Sequence, residues 1–167
     1  MAEIAFTIAP VARHAHEVPD LLAHVFQEPV EPVLDALRAA ALLDVELVAV
    51  TGDGIVAGYA AAAVATAVSE PERHLSEIYL VAVDEEFQGL GAGRKLVWAL
   101  IDRLRKHGHQ GVFTAGLHGY LGHFGFHPLD ARGLTAKAGP LYGLELVDGG
   151  FNGLQGAVML QENPWRR

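Results

Sequence analysis

Apolar positions along the chain change their period several times, and those changes mark out the elements. Ile4 to Ile8 predicts a short first strand. Val18, Leu21, Leu22, Val25 and Phe26 then recur at helical spacing, and Glu28-Pro29 followed by Glu31-Pro32 interrupts them before a second helix from Val33 to Leu43. Glu46 to Val50 and Ile55 to Ala65 flank Thr51-Gly52-Asp53-Gly54, a hairpin signal with glycines available for positive φ. The second arm carries Gly58 and a run of alanines, small side chains that admit a ligand or an overlying helix at close range.

From Ile78 to Val83 the residues are apolar without interruption, which suits a strand covered on both faces. From Leu96 the period becomes helical: Leu96, Val97, Leu100, Ile101 and Leu104 share one side, while Arg94, Lys95, Asp102, Arg103 and Lys106 fall largely on the other. Lys106 and His107 bring cationic groups to the negative end of this helix, and Gly108 can take the left-handed cap. Val112 to Ala115 predicts a fifth strand, parallel to the fourth because a helix intervenes. Gly116 to Gly125 reads as a short helix or turn, and the glycine-rich remainder holds strand candidates at Leu141 to Val147 and Leu154 to Leu160. With no repeat and no low-complexity stretch, residues 1–167 are expected to form a single domain.

Composition narrows the function classes. Hydrophobic residues at 51% against 19% charged describe a folded globular chain. A net charge of −8 offers no basic stripe to neutralise phosphates, so a nucleic-acid partner is not expected. There is no cysteine, and the nine histidines lack ligand spacing, so no metal is expected and thiolate chemistry is excluded. The N-terminus lacks a signal-peptide pattern and Ala60 to Ala67 is too short to span a bilayer, which points to the cytoplasm with no membrane partner. Oligomeric state is open, a homodimer included.

The chemical signal lies between the fourth strand and the long helix, in Gln88-Gly89-Leu90-Gly91-Ala92-Gly93. Glycines let the backbone turn sharply and approach a ligand, and the free amides of a helix start favour an anion, most often phosphate. Without a ligand the same residues make a tight strand-to-helix turn. Two nucleotide motifs are absent: no G-x-x-x-x-G-K-[ST] occurs, and Leu96 stands where the dinucleotide fingerprint needs its last glycine. Gln-x-x-Gly-x-Gly at Gln88, Gly91 and Gly93, directly after an apolar strand, resembles the acyl-coenzyme A signature of the GNAT superfamily of N-acetyltransferases, in a bacterial branch. Glu77 to Val83 is similar to the strand that carries the catalytic glutamate of its histone-acetylating members, and Phe124-Gly125-Phe126 to its closing Gly-Phe.

The resemblance implies an α/β (α+β) fold with a mixed, mostly antiparallel central sheet and helices on both faces, in the order β, α, α, β, β, β, α, β, α, β, β. It implies acetyl-CoA as co-substrate, with cofactor binding by Leu80, Val81, Ala82 and Val83 on the strand and by Gln88, Gly89, Leu90, Gly91, Ala92, Gly93 and Arg94 on the loop. It also implies N-acetyl transfer to a primary amine of a small molecule, peptide or protein. The alternative is a non-catalytic acyl-CoA-binding or interaction module with a degenerate site.

Acetyl transfer to an amine needs a base, a polarised carbonyl and a proton for the leaving thiolate. Glu77 is the candidate base, with a pKa that partial burial would raise; otherwise it is an exposed charge at a strand end. An amide within Leu80 to Val83 is the candidate polarising group. The family's tyrosine acid falls here on Leu121, and Tyr120 would point about 100° away on a helical turn. Tyr120 is retained as the acid if that turn is irregular, with His118, His123 or water as the other donors. In the family the connection between the first two helices borders the acceptor site, which here presents Phe26, Glu28 and Glu31; the two glutamates otherwise read as solvated charges beside a proline break.

Overall fold

The computed structural model describes residues 4–116 and 118–166, with the backbone alone for His118 and Gly119. It is a mixed α/β chain whose elements run β1 (Phe6–Pro10), α1 (Val18–Phe26), α2 (Glu31–Ala39), β2 (Leu43–Thr51), β3 (Val56–Ala67), β4 (Leu75–Val83), α3 (Ala92–Lys106), β5 (Gly111–Thr114), α4 (His118–Leu121), β6 (His127–Pro128), β7 (Leu134–Thr135), β8 (Tyr142–Glu145) and β9 (Gly156–Met159). Two compact units divide it. The first takes the chain up to Ala62 together with Leu80–Leu100, the second Ala63–Tyr79 together with the chain from Ile101 onward.

In the first unit the strand order is β1-β2-β3-β4. β1 and β2 pair antiparallel from Phe6 opposite Thr51 to Pro10 opposite Leu47. The predicted hairpin closes on Thr51, whose N–H donates to the Ile55 carbonyl at 2.9 Å while its Oγ1 accepts from the Ile55 N–H at 3.0 Å. α2 begins at Glu31 rather than Val33, because Pro32 sits in its first turn, where an N–H would have no intrahelical acceptor. It ends at Ala39, well short of Leu43. Ala41 takes a left-handed φ of 58° that turns the chain, and Leu43 opens β2.

The small residues of β3 serve packing. Ala60, Ala61 and Ala62 are fully buried, and a Cβ on Gly58 would lie 3.0 Å from both the Ala82 carbonyl and Leu96 Cδ1. Close approach by strand and helix thus accounts for Gly58. α3 starts four residues before the first apolar position of its stripe: Gly93, Arg94 and Lys95 form a first turn that buries little, and Leu96, Val97 and Leu100 supply the buried face. At its end Gly108 takes φ 82°, the predicted left-handed stop.

In the second unit β5 runs parallel to β4, with Leu75, Ser76 and Glu77 opposite Gly111, Val112 and Phe113. β8 pairs antiparallel with β5 and β6 with β8. β9 pairs antiparallel with the end of β3 and parallel with β7. β8 and β9 lie inside the predicted Leu141 to Val147 and Leu154 to Leu160 but are shorter, and the two-residue strands β6 and β7 carry no sequence pattern. The core of this unit is built on Phe113 and Phe151, stacked at 5.0 Å between ring centres, with Leu129, Leu134, Leu141 and Leu154 around them.

Candidate active site

The glycine loop lies in the first unit, where β4 passes into α3. Asp84 follows the strand and its Oδ1 accepts from the Glu86 N–H at 2.9 Å, capping a short 3-10 turn over Glu85–Phe87. Gln88 Nε2 donates to the Val83 carbonyl at 3.1 Å and ties the turn back to the strand. Gly89 and Gly91 have φ of 79° and 92°, a region that side-chain-bearing residues rarely adopt. A Cβ at either position would meet nothing within 4 Å, so backbone conformation and not internal packing requires glycine there.

The Gly91 carbonyl accepts from the Lys95 N–H at 3.1 Å, which makes Gly91 the capping residue of α3. It has no side chain to occupy the amides that follow. Helix geometry leaves Ala92, Gly93 and Arg94 without intrahelical acceptors, no acidic residue stands in the first turn, and Arg94 is exposed beside them. The arrangement favours an anion. Of the strand residues named with this loop, Leu80 and Ala82 are buried and Val81 and Val83 half-buried, so the two pairs face opposite ways. A cavity of about 210 Å³ opens beside Val83, Glu85 and Gln88, lined on its other side by His24, Val25 and Gln27 at the end of α1.

Glu77 lies in the second unit, and the structure corrects the exposed-charge reading of it. It is 0% exposed. The β4–β5 ladder ends at its pair with Phe113. Its Oε1 accepts from the Gln161 N–H at 2.9 Å and its Oε2 from Arg166 Nη1 at 3.2 Å. Arg166 Nη2 also donates to the Gln161 carbonyl at 2.8 Å. Burial pushes the Glu77 carboxyl up to about 7, against the opposing pull of Arg166 and the Gln161 amide. That is the range a general base at neutral pH requires.

The segment that covers Glu77 had no sequence signature. Residues 161–166 follow β9 as a polar, proline-containing stretch without apolar period, yet they form a strap along β4. Gln161 Nε2 donates to the Val64 carbonyl at 2.9 Å, Asn163 Nδ2 to the Tyr79 carbonyl at 2.8 Å, and the Tyr79 hydroxyl to the Glu162 carbonyl at 2.7 Å. Burial, reinforced by the charge on Glu77, pushes the Tyr79 hydroxyl up to about 12, so it stays a donor at neutral pH. A cavity of about 870 Å³ opens against the same strap, walled by β9 and by Ala136, Lys137 and Ala138, and both Gln161 and Arg166 line it.

Tyr120 is exposed and packs on the Phe124 ring at 5.6 Å, whereas Leu121 is fully buried. The position where the family carries its tyrosine therefore points into the core. His123 is exposed, and the side chain of His118 lies outside the described residues. Glu31 is not the solvated charge that its neighbouring prolines suggest: Arg38 bonds it together with Asp35 at 2.8 Å and Glu46 at 2.6 Å, so it belongs to a structural ion network. Phe26 is half-buried and Glu28 exposed. Among the described residues no cluster of three or more His, Cys, Asp or Glu could hold a metal ion, and no helix is long and apolar enough to cross a membrane.

A model of the acetyltransferase (GNAT) family matches residues 15–126. The uncharacterised N-acetyltransferase YhbS of Escherichia coli is 32% identical over 150 residues, which cover 86% of this chain and 88% of that protein. The crystal structure of E. coli YhbS in complex with CoA superposes with a TM-score of 0.86 at 26% identity, over 97% of this chain and 93% of the other. A GNAT family acetyltransferase from Brucella melitensis in complex with acetyl-CoA gives a TM-score of 0.73 at 27% identity, over 94% and 96%.

Proposed function

The chain belongs to the acetyltransferase (GNAT) family, and on that premise we propose that it transfers the acetyl group of acetyl-CoA to a primary amine of a small molecule, peptide or protein. The observation that carries the reading is the start of α3. Two positive-φ glycines, the second of which caps the helix without a side chain, present three free amides to an anion, directly after the strand that would lie along the ligand's arm. Those features suit the pyrophosphate of coenzyme A, and the CoA and acetyl-CoA complexes of the two similar structures support the choice of ligand.

When bound, acetyl-CoA supplies an activated thioester. The chain's own part is then to bind, polarise and move protons. Gln88, Gly89, Leu90, Gly91, Ala92, Gly93 and Arg94 hold the phosphates, and the backbone of Leu80 to Val83 holds the arm and offers an amide to the carbonyl oxygen. Glu77 takes the amine proton, directly or through water, from a carboxyl already lifted to about 7. Tyr120, His118, His123 or water returns a proton to the leaving thiolate.

Calorimetry tests the ligand assignment. Acetyl-CoA should bind at one site per chain, while ATP and NAD, which share the phosphates but not the arm, should bind more weakly. Equal affinity for all three would reduce the loop to a generic phosphate site and overturn the assignment.

A further inference from the structure

Glu77 is sealed from solvent, which makes its ionised form costly to maintain unless a charge compensates it. The compensation comes from the far end of the chain. Arg166 reaches the Oε2 oxygen at 3.2 Å, is braced by its second donor on the Gln161 carbonyl at 2.8 Å, and the Gln161 N–H completes the enclosure on Oε1 at 2.9 Å. The guanidinium side chain is itself 12% exposed. The strap that carries it is pinned to β3 at Val64 and to β4 at Tyr79, so the fork is presented from a fixed backbone.

We propose that Arg166 is a positioning residue for the transfer: with the Gln161 amide it keeps the Glu77 carboxylate ionised and fixes its orientation, and it sets the pH below which the enzyme loses its base. The proposal rests on the reading of Glu77 as general base. Other titratable groups near Glu77 do not share this role. The Tyr79 hydroxyl is neutral and donates to the Glu162 carbonyl, the exposed Glu162 carboxylate has the wrong sign, and the β5 residue opposite Glu77 is Phe113.

The test follows the carboxyl itself as well as turnover. In full-length protein with 13C-labelled glutamate, the Glu77 resonance is assigned by its loss in Glu77→Gln and titrated in the parent, Arg166→Lys and Arg166→Met. Removing an opposite charge at this range should raise the midpoint by about one pH unit or more in Arg166→Met, with Arg166→Lys between that variant and the parent. The acidic limb of the rate profile should move with it, using acetyl-CoA and the most active of an aliphatic diamine, an amino sugar and a peptide with a free N-terminus. Arg166→Lys keeps a cation on the strap and serves as the measurement should Arg166→Met fail to fold. A strap that only stabilises the fold would lower the melting temperature and leave the midpoint in place, which overturns the proposal. If Glu77→Gln loses the limb while Arg166→Met keeps the parent's, Arg166 has no such role although the base reading stands. If Glu77→Gln retains the limb, the base reading falls and the role of Arg166 with it.

Discussion

Arg166 and Glu77 lie 89 positions apart in the chain, and their guanidinium and carboxylate meet at 3.2 Å. Their pairing is incomplete compensation. Burial still lifts the Glu77 carboxyl to about 7 from an ordinary 4.5, so the folded chain retains a proton that the unfolded chain has already released within that window. Stability therefore falls as pH rises through it: the contribution is full below the unfolded value and gone above the folded one. It amounts to on the order of 3 kcal/mol.

Glu77→Gln has no such proton to retain. Any constant loss of stability from the altered contacts to Arg166 and Gln161 is separate from the slope. Urea unfolding across about pH 5 to pH 7 should show a shallower decline in the variant than in the parent. Parallel slopes would show that Glu77 is not the titrating group.

At Gly91 shape and charge can be separated. Its φ of 92° strains any L-residue, and space for a Cβ is open, so Gly91→Asn and Gly91→Asp should lose similar stability. They differ by one charge. If a pyrophosphate sits over the first turn of α3, calorimetry should give Gly91→Asp a weaker acetyl-CoA affinity than Gly91→Asn by about tenfold, and raised salt should narrow the gap. Equal affinities would remove the anion from this end of the helix.

Proton return to the thiolate divides between an exposed tyrosine and a buried leucine. Tyr120→Phe keeps the ring that packs on Phe124, so stability should hold while kcat at neutral pH falls if the hydroxyl is the donor. Leu121 has no solvent exposure, and Leu121→Tyr should cost about 1–3 kcal/mol by overpacking and leave a hydroxyl in the core. Full activity in Tyr120→Phe would assign the proton to His118, His123 or water. A stable and faster Leu121→Tyr would mean that this turn repacks more freely than its burial implies.

The ion network of the first unit makes a structural prediction. The Tyr59 hydroxyl, fully buried, donates to Glu46 Oε1 at 2.6 Å, and Arg38 donates to the same carboxylate from Nε at 2.9 Å and from Nη2 at 2.6 Å. Burial and the Glu46 charge push the Tyr59 hydroxyl well above its usual range, so it donates at every working pH. Tyr59→Phe should cost about 1–3 kcal/mol in urea unfolding with acetyl-CoA affinity unchanged. A large loss of affinity would place this network in the binding machinery.

What could be read from the sequence depended on whether a residue's role is local. The strand at Ile78 to Val83, the stripe from Leu96 to Leu104 and the Gly108 stop all follow from neighbours within a turn or two, and the structure has each of them. Gly89 and Gly91 were legible because a strand-to-helix turn writes its φ requirement into neighbouring residues. The enclosure of Glu77 was not: Gln161 and Arg166 act through a backbone amide and a single charge, in a segment with neither period nor turn chemistry. The setting of Glu31 is not legible for the same reason, since Arg38 and Glu46, which fix it, belong to a helix face and a strand that only the fold brings together. The early stop of α2 rests on one left-handed alanine, Ala41, a residue type that does not advertise positive φ.

As a member of its family, this chain should transfer acetyl groups to an amine. Free-thiol release from acetyl-CoA, followed with and without a panel of primary amines comprising aliphatic diamines, amino sugars and peptides with free N-termini, tests it most directly. Release should need both acetyl-CoA and at least one amine, with the acetylated amine detected by mass spectrometry and the rate sharply reduced in Glu77→Gln. Tight acetyl-CoA binding with no amine-dependent thiol release across the panel would contradict it and favour an acyl-CoA-binding module.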